Sequence, residues 1–186
     1  MQKFISLDAV KKPTSLLSWP TLINALLFQI TWFACALGAA RGMLWPSILA
    51  CAIFAVYQLR ASHRHPSDIK LVLVAAALGI VIDGTWIHLG LISYATPSPW
   101  SGLAPIWIIA LWSGFALTIN HSLTWLKKHP LLPAAAGLIC APLSYFAGLK
   151  LQALVFLDDS LLTCCALGIS WALALTLLVQ LSGRIR

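Results

Sequence analysis

The chain predicts an all-α fold: a polytopic membrane bundle of six transmembrane helices with both termini in the cytoplasm. Three observations carry that expectation. The 186 residues are 60% hydrophobic and only 9% charged, whereas soluble domains carry about 25% charged residues. Six apolar runs follow one another, separated by short polar stretches. The basic residues collect in alternate stretches.

The runs are 21–39, 43–59, 71–92, 106–126, 131–149 and 161–181. A bilayer core of ~30 Å needs ~20 apolar residues at ~1.5 Å rise. The run at 43–59 is short for a span. No soluble domain fits between the runs, so residues 1–186 read as a single integral domain. Short connections make sequence neighbours antiparallel. The first run is long for a secretory h-region and reads as an uncleaved anchor.

Tryptophan and proline mark the boundaries. Trp19 precedes the first run, Trp45 opens the second and Trp125 closes the fourth. Tyr94 and Trp100 fall in the loop after the third. Amphipathic rings favour the headgroup level. Pro20, Pro46 and Pro105 stand at run starts, where a missing N–H costs least. Pro142 falls inside the fifth run and frees the carbonyl of Leu138. No internal repeat is visible between residues 1–92 and 93–186.

Charge sets the expected orientation. With the N-terminus inside, Lys3, Lys11, Lys12, Arg60, Arg64, Lys70, Lys127, Lys128, Arg184 and Arg186 face the cytoplasm. Arg41 and Lys150 face outward. This is a positive-inside pattern. The formal charge of +7 is explained by it, so no nucleic-acid partner is expected.

Asp83 is the only carboxylate inside an apolar run. A carboxylate at bilayer depth costs several kcal/mol unless it is protonated, paired or wet. It reads equally as a structural hydrogen-bond hub or as a proton, ligand or catalytic group. Helical counting puts Asp83, Ser144, Tyr145 and Ser170 in a mid-depth layer. A second layer nearer the cytoplasm holds Asn24, Gln29, Asn120, His121 and Ser122. Each of these amides and the histidine has a plainer reading as glue between helices. Asp158 and Asp159 read as an N-cap pair for the sixth run.

Other chemistry has little support. Cys35, Cys51, Cys140, Cys164 and Cys165 form no C-x-x-C pair and read as packing residues. His88 and His121 fall toward opposite faces, so with Asp83 they make no zinc set, and no metal or cofactor is expected. Ser122 follows His121 directly, and adjacent helical residues point ~100° apart. That pair is no ready nucleophile and base.

Several stretches carry a resemblance: NALLFQITWF from Asn24, GIVIDGTW from Gly79, APIWIIALWSGFALTINHSLTWL from Ala104 and APLSYFAG from Ala141. Over roughly residues 20–180 the chain resembles a family of small bacterial inner-membrane proteins classed as a domain of unknown function. The family's polar positions match here at Asn24, Gln29, Trp32, Asp83, Trp107, Trp112, Asn120, His121, Ser122, Trp125, Pro142 and Tyr145. Where the family usually has glycine before the proline of the fifth run, this chain has Ala141. The resemblance implies a multi-pass protein of the bacterial inner (plasma) membrane. It implies no activity. Members tend to be encoded near fatty-acid-modifying enzymes, which leans the expectation toward lipid by association alone.

The expectation is therefore a polar pocket lined by Asn24, Gln29, Asp83, Asn120, His121 and Tyr145. It would hold the polar end of a lipid or acyl compound, with membrane lipids as partners and a lipid- or fatty-acid-modifying enzyme as a further one. Two alternatives stand beside this accessory role. One is an intramembrane lipid-modifying enzyme with Asp83 and His121 as the catalytic candidates. The other is a small transporter with Asp83 as a proton-coupled site. Oligomeric state stays open.

Overall fold

A computed structural model describes residues 18–158 and 160–183. Six α-helices dominate: α1 Trp19–Ala40, α2 Trp45–Gln58, α3 Asp68–His88, α4 Ile106–Ala116, α5 Leu132–Lys150 and α6 Ser160–Leu181. Two three-residue strands, β1 Ile92–Tyr94 and β2 Leu154–Phe156, and a 3-10 helix, Thr124–Lys128, complete the described residues.

Four helices, α1, α3, α5 and α6, are long and apolar enough to cross a membrane. The chain is thus of the membrane-spanning kind. The other two helices are shorter than a bilayer core requires, and the run at 43–59 is already short for a span. Helix α2 has 14 residues and α4 has 11, so at ~1.5 Å per residue they reach only ~21 and ~16 Å.

The fourth apolar run extends to residue 126, but α4 stops at Ala116. After it the amides bond three residues back: Leu117 to Gly114, Thr118 to Phe115 and Ile119 to Ala116. The Thr118 hydroxyl also donates to the Phe115 carbonyl at 2.6 Å. Short polar side chains offer the backbone such alternatives and compete with the helical ladder. Residues 117–123 therefore fold as turns. Irregular backbone at membrane depth survives only where protein or water satisfies it. Here the segment lies against buried polar side chains described below.

Helices α1, α3 and α5 run toward one end of the molecule and share one ending. The residue two past each helix has positive φ: Gly42 at 71°, Gly90 at 68° and Gln152 at 63°. The next amide reaches back five residues: Met43 to Gly38 at 2.9 Å, Leu91 to Trp86 at 3.0 Å and Ala153 to Gly148 at 3.0 Å. This is the Schellman cap, which satisfies orphan carbonyls and turns the chain. After α3 and α5 the turn feeds directly into β1 and β2.

The strands pair antiparallel, Ile92 with Phe156, Ser93 with Val155 and Tyr94 with Leu154. The ribbon closes this end of the bundle, and the opposite end carries Asp68. A pseudo-two-fold relation follows. The buried line Leu71, Ala75, Gly79, Asp83 of α3 matches Pro133, Gly137, Ala141, Tyr145 of α5 at a constant offset. The same offset carries Gly90 onto Gln152 and Ile92 onto Leu154. The repeat is α3–β1 against α5–β2, and not one half of the chain against the other.

Small residues let the helices close up. A Cβ on Gly137 would stand 2.5 Å from the Trp171 carbonyl oxygen of α6. One on Gly168 would stand 2.8 Å from the Leu138 carbonyl, the group freed by Pro142. One on Gly79 would meet the Trp112 ring at 2.5 Å. The stacked rings of Trp112 and Trp171, 3.9 Å apart, sit between α3, α4, α5 and α6. All five cysteines are free thiols.

Candidate functional site

The polar side chains form two separate clusters, not one pocket. The first centres on Asp83, which is fully buried. The hydroxyls of Tyr94 and Tyr145 donate to its Oδ1 at 2.5 and 2.6 Å. The Trp112 indole N–H donates to Oδ2 at 2.8 Å. Each donor comes from a different element: β1, α5 and α4. Asp83 thereby ties the ribbon and three helices together. Tyr94, expected at headgroup level, is instead 6% exposed, because the ribbon folds it back over α3. Ser144 does not join this cluster. It accepts from the Trp32 indole at 2.9 Å.

The second cluster lies at the other end of α3. Asp68 is fully buried. It accepts from the His65 backbone N–H at 2.7 Å, from Asn120 Nδ2 at 2.7 Å and from His121 Nε2 at 3.0 Å. Asn120 also donates to Ser67 Oγ at 3.0 Å and accepts from Lys127 Nζ at 2.6 Å. Burial lowers the Lys127 ammonium below its ordinary value, and the Asp68 charge opposes that shift.

Backbone groups set the direction of this network. The Ser122 amide can only donate, and it meets Asn24 Oδ1 at 3.2 Å; the Ser122 hydroxyl donates there too, at 2.6 Å. Asn24 Nδ2 must then be the donor, to the Leu117 carbonyl at 3.0 Å and to Gln58 Oε1 at 2.7 Å. Gln58 Nε2 in turn donates to the His63 carbonyl at 3.2 Å and toward the His121 ring, 3.2 Å from Nδ1 and 3.1 Å from Nε2. A ring nitrogen facing a donor accepts. The consistent tautomer has Nε2–H donating to Asp68 and Nδ1 accepting from Gln58.

The grouping expected from the amino-acid sequence changes in two places. Asp83 and His121 do not meet: His121 is bonded to Asp68, about 22 Å from Asp83 along α3, and each has its own partners. Gln29 is exposed on the outer face of α1 and belongs to neither cluster. Asn24, Asn120 and His121 do come together, as do Asp83 and Tyr145. Sequence reasoning missed Asp68, Gln58 and Tyr94 as site residues, and singled out Trp112 only as a position that the resemblance matched. Asp68 carried a signal, since an acid just after Pro66-Ser67 marks a helix start. Gln58 closed an apolar run in the same way.

Chemically, the Asp83 cluster is a clamp with every carboxylate oxygen occupied. The Asp68 cluster holds a histidine oriented by a carboxylate, the pairing used by general bases. Both ring nitrogens are already engaged. The His121 side chain is 16% exposed, so this cluster reaches the surface where Lys127 stands.

Residues 21–177 match a family described as "Protein of unknown function (DUF2878)". The chain belongs to that family, as its resemblance implied. No curated protein and no solved structure matches it.

Proposed function

We propose that this member of the DUF2878 family binds or handles a lipid or acyl compound, as an accessory factor in the bacterial inner membrane. The polar end of the compound meets the rim of the Asp68 cluster, at Asn120, His121 and Lys127. The acyl chain lies along apolar helix faces. One observation carries this reading: the cluster that reaches the surface sits at the end of apolar helices with an ammonium held against it at 2.6 Å. The Asp83 carboxylate, in contrast, already takes three donors, which weighs against a coupled proton site there. A lipid- or fatty-acid-modifying enzyme remains the proposed protein partner.

Native mass spectrometry of protein extracted in mild detergent tests the reading. Wild type is expected to carry a lipid or acyl species. A lysine near an anionic surface is worth about 1 kcal/mol, so Lys127→Ala is expected to retain about fivefold less. Bare wild-type protein, or equal retention by Lys127→Ala and Asn120→Ala, overturns it.

The Asp68–His121 contact at 3.0 Å favours a second reading, an enzyme with His121 as base and Asp68 as its orienter. Asp68 then replaces Asp83 as the proposed partner. Nδ1 would first have to release the Gln58 donor. Gln58→Leu is then expected to raise turnover of a lipid substrate, and His121→Ala to abolish it.

A further inference from the structure

Two apolar grooves flank the α1–α2 hairpin, and each ends in an arginine at an opposite end of the bundle. The first, about 430 Å³, is walled by Leu26, Ile30, Phe33 and Leu37, with Gln29 and Arg41 as its only polar side chains. The second, about 410 Å³, is walled by Ile23, Leu27, Ile53 and Val56, with Tyr57 and Arg60 at its end. Arg41 lies at the ribbon end, and Arg60 at the Asp68 end. Along α1 the first groove covers about 22 Å from Leu26 to Arg41, more than the ~15 Å depth of one leaflet's hydrocarbon.

Both arginines are exposed, and neither has an ion pair among the described residues; the ion pair found there is His121 with Asp68. Asp68 and Asp83 are buried and committed elsewhere. The first groove therefore offers an acyl-length apolar wall and the second a shorter one, about 12 Å from Ala52 to Arg60 along α2, and each ends in a guanidinium whose fork matches a phosphate.

We infer that the α1–α2 hairpin carries two binding sites for anionic phospholipid, one at each membrane face, anchored by Arg41 and Arg60. These sites are distinct from the Asp68 rim, although they extend the same lipid-handling reading. They bind intact bilayer lipid, acyl chain in the groove and phosphate on the guanidinium. The two anchors fix the hairpin's depth at both faces. That holds a helix pair in which α2 alone is too short to span.

The test uses the full chain in nanodiscs of phosphatidylglycerol or of phosphatidylcholine, released into native mass spectrometry. Beyond any lipid held at the Asp68 rim, wild type is expected to keep up to two phosphatidylglycerol molecules and no phosphatidylcholine. Arg41→Ala and Arg60→Ala each keep one fewer, and the double variant falls at least about tenfold in doubly bound species. Thermal unfolding in lipid-free detergent should match wild type, because neither side chain has an ion pair among the described residues. Equal retention by the double variant, or equal retention of the two lipids, overturns the inference. Lipid loss in Lys127→Ala with none in the arginine variants would sink these two sites and leave the Asp68 rim standing. The reverse result would do the opposite.

Discussion

Asp83 is held by three neutral donors, and removing it leaves two hydroxyls and an indole N–H buried without an acceptor. Each stranded group costs about 1–3 kcal/mol. Asp83→Ala is therefore expected to lose roughly 3 kcal/mol or more, read as a large fall in Tm in detergent. Tyr145→Phe removes one donor and leaves Oδ1 with Tyr94, so about 1–2 kcal/mol is expected. A Tm for Asp83→Ala equal to wild type would show that the clamp bears no stability. The sequence made the cost of Asp83 legible, because an acid inside an apolar run needs company. It did not reveal the company. Tyr94 sits beyond the helix end in a loop that reads as headgroup-facing, and only the fold-back of the ribbon brings it in. His121 misled for a similar reason. Counting depth put it in a layer apart from Asp83, yet it was joined with that carboxylate as a catalytic candidate, because Asp68 was hidden at a helix start.

At the scale of elements, boundaries set by composition were well marked and boundaries set by hydrogen-bond competition were not. Helices α1, α5 and α6 lie within two residues of the runs that announced them. Helix α4 does not, because nothing in an apolar count registers the Thr118 hydroxyl taking the Phe115 carbonyl where the backbone turns. Close packing gives a prediction here. The α5–α6 approach at Gly137 meets backbone, which cannot rotate away. Gly137→Ala is expected to cost about 1–3 kcal/mol or more by overpacking, measured as loss of Tm. The cap after α5 gives the opposite sign. Gln152 holds φ 63°, a conformation that costs an L residue about 1–2 kcal/mol. Its counterparts after α1 and α3 are glycines. Gln152→Gly is expected to gain about 1 kcal/mol, and an unchanged or lower Tm would refute the strain.

For the whole molecule, the pseudo-two-fold pairing of α3–β1 with α5–β2 fixes a relation that neither charge nor hydropathy displays. Matched positions share burial but not always size or chemistry: Gly79 matches the small Ala141, whereas Asp83 matches Tyr145. The two chemically unlike members then bond to each other at 2.6 Å, so the divergence that hid the repeat is the same divergence that built the clamp. The paired strands require α3 and α5 to point the same way across the membrane. Arg60, Arg64, Lys70, Lys127 and Lys128 lie at the Asp68 end, against Arg41 and Lys150 at the ribbon end. The remaining basic residues of the expected inside set, Lys3, Lys11, Lys12, Arg184 and Arg186, lie outside the described residues, as does Asp159 of the expected N-cap pair. The described charges alone still favour the Asp68 end as cytoplasmic. Single cysteines at exposed positions test this, in a background with Cys140 and Cys165 replaced by alanine. A membrane-impermeant maleimide applied to intact spheroplasts is expected to label Ser101→Cys at the ribbon end. It should label Ser62→Cys only after lysis. Labelling of Ser62→Cys in intact spheroplasts would invert the molecule, and would move the Asp68 rim and Lys127 away from the anionic cytoplasmic leaflet.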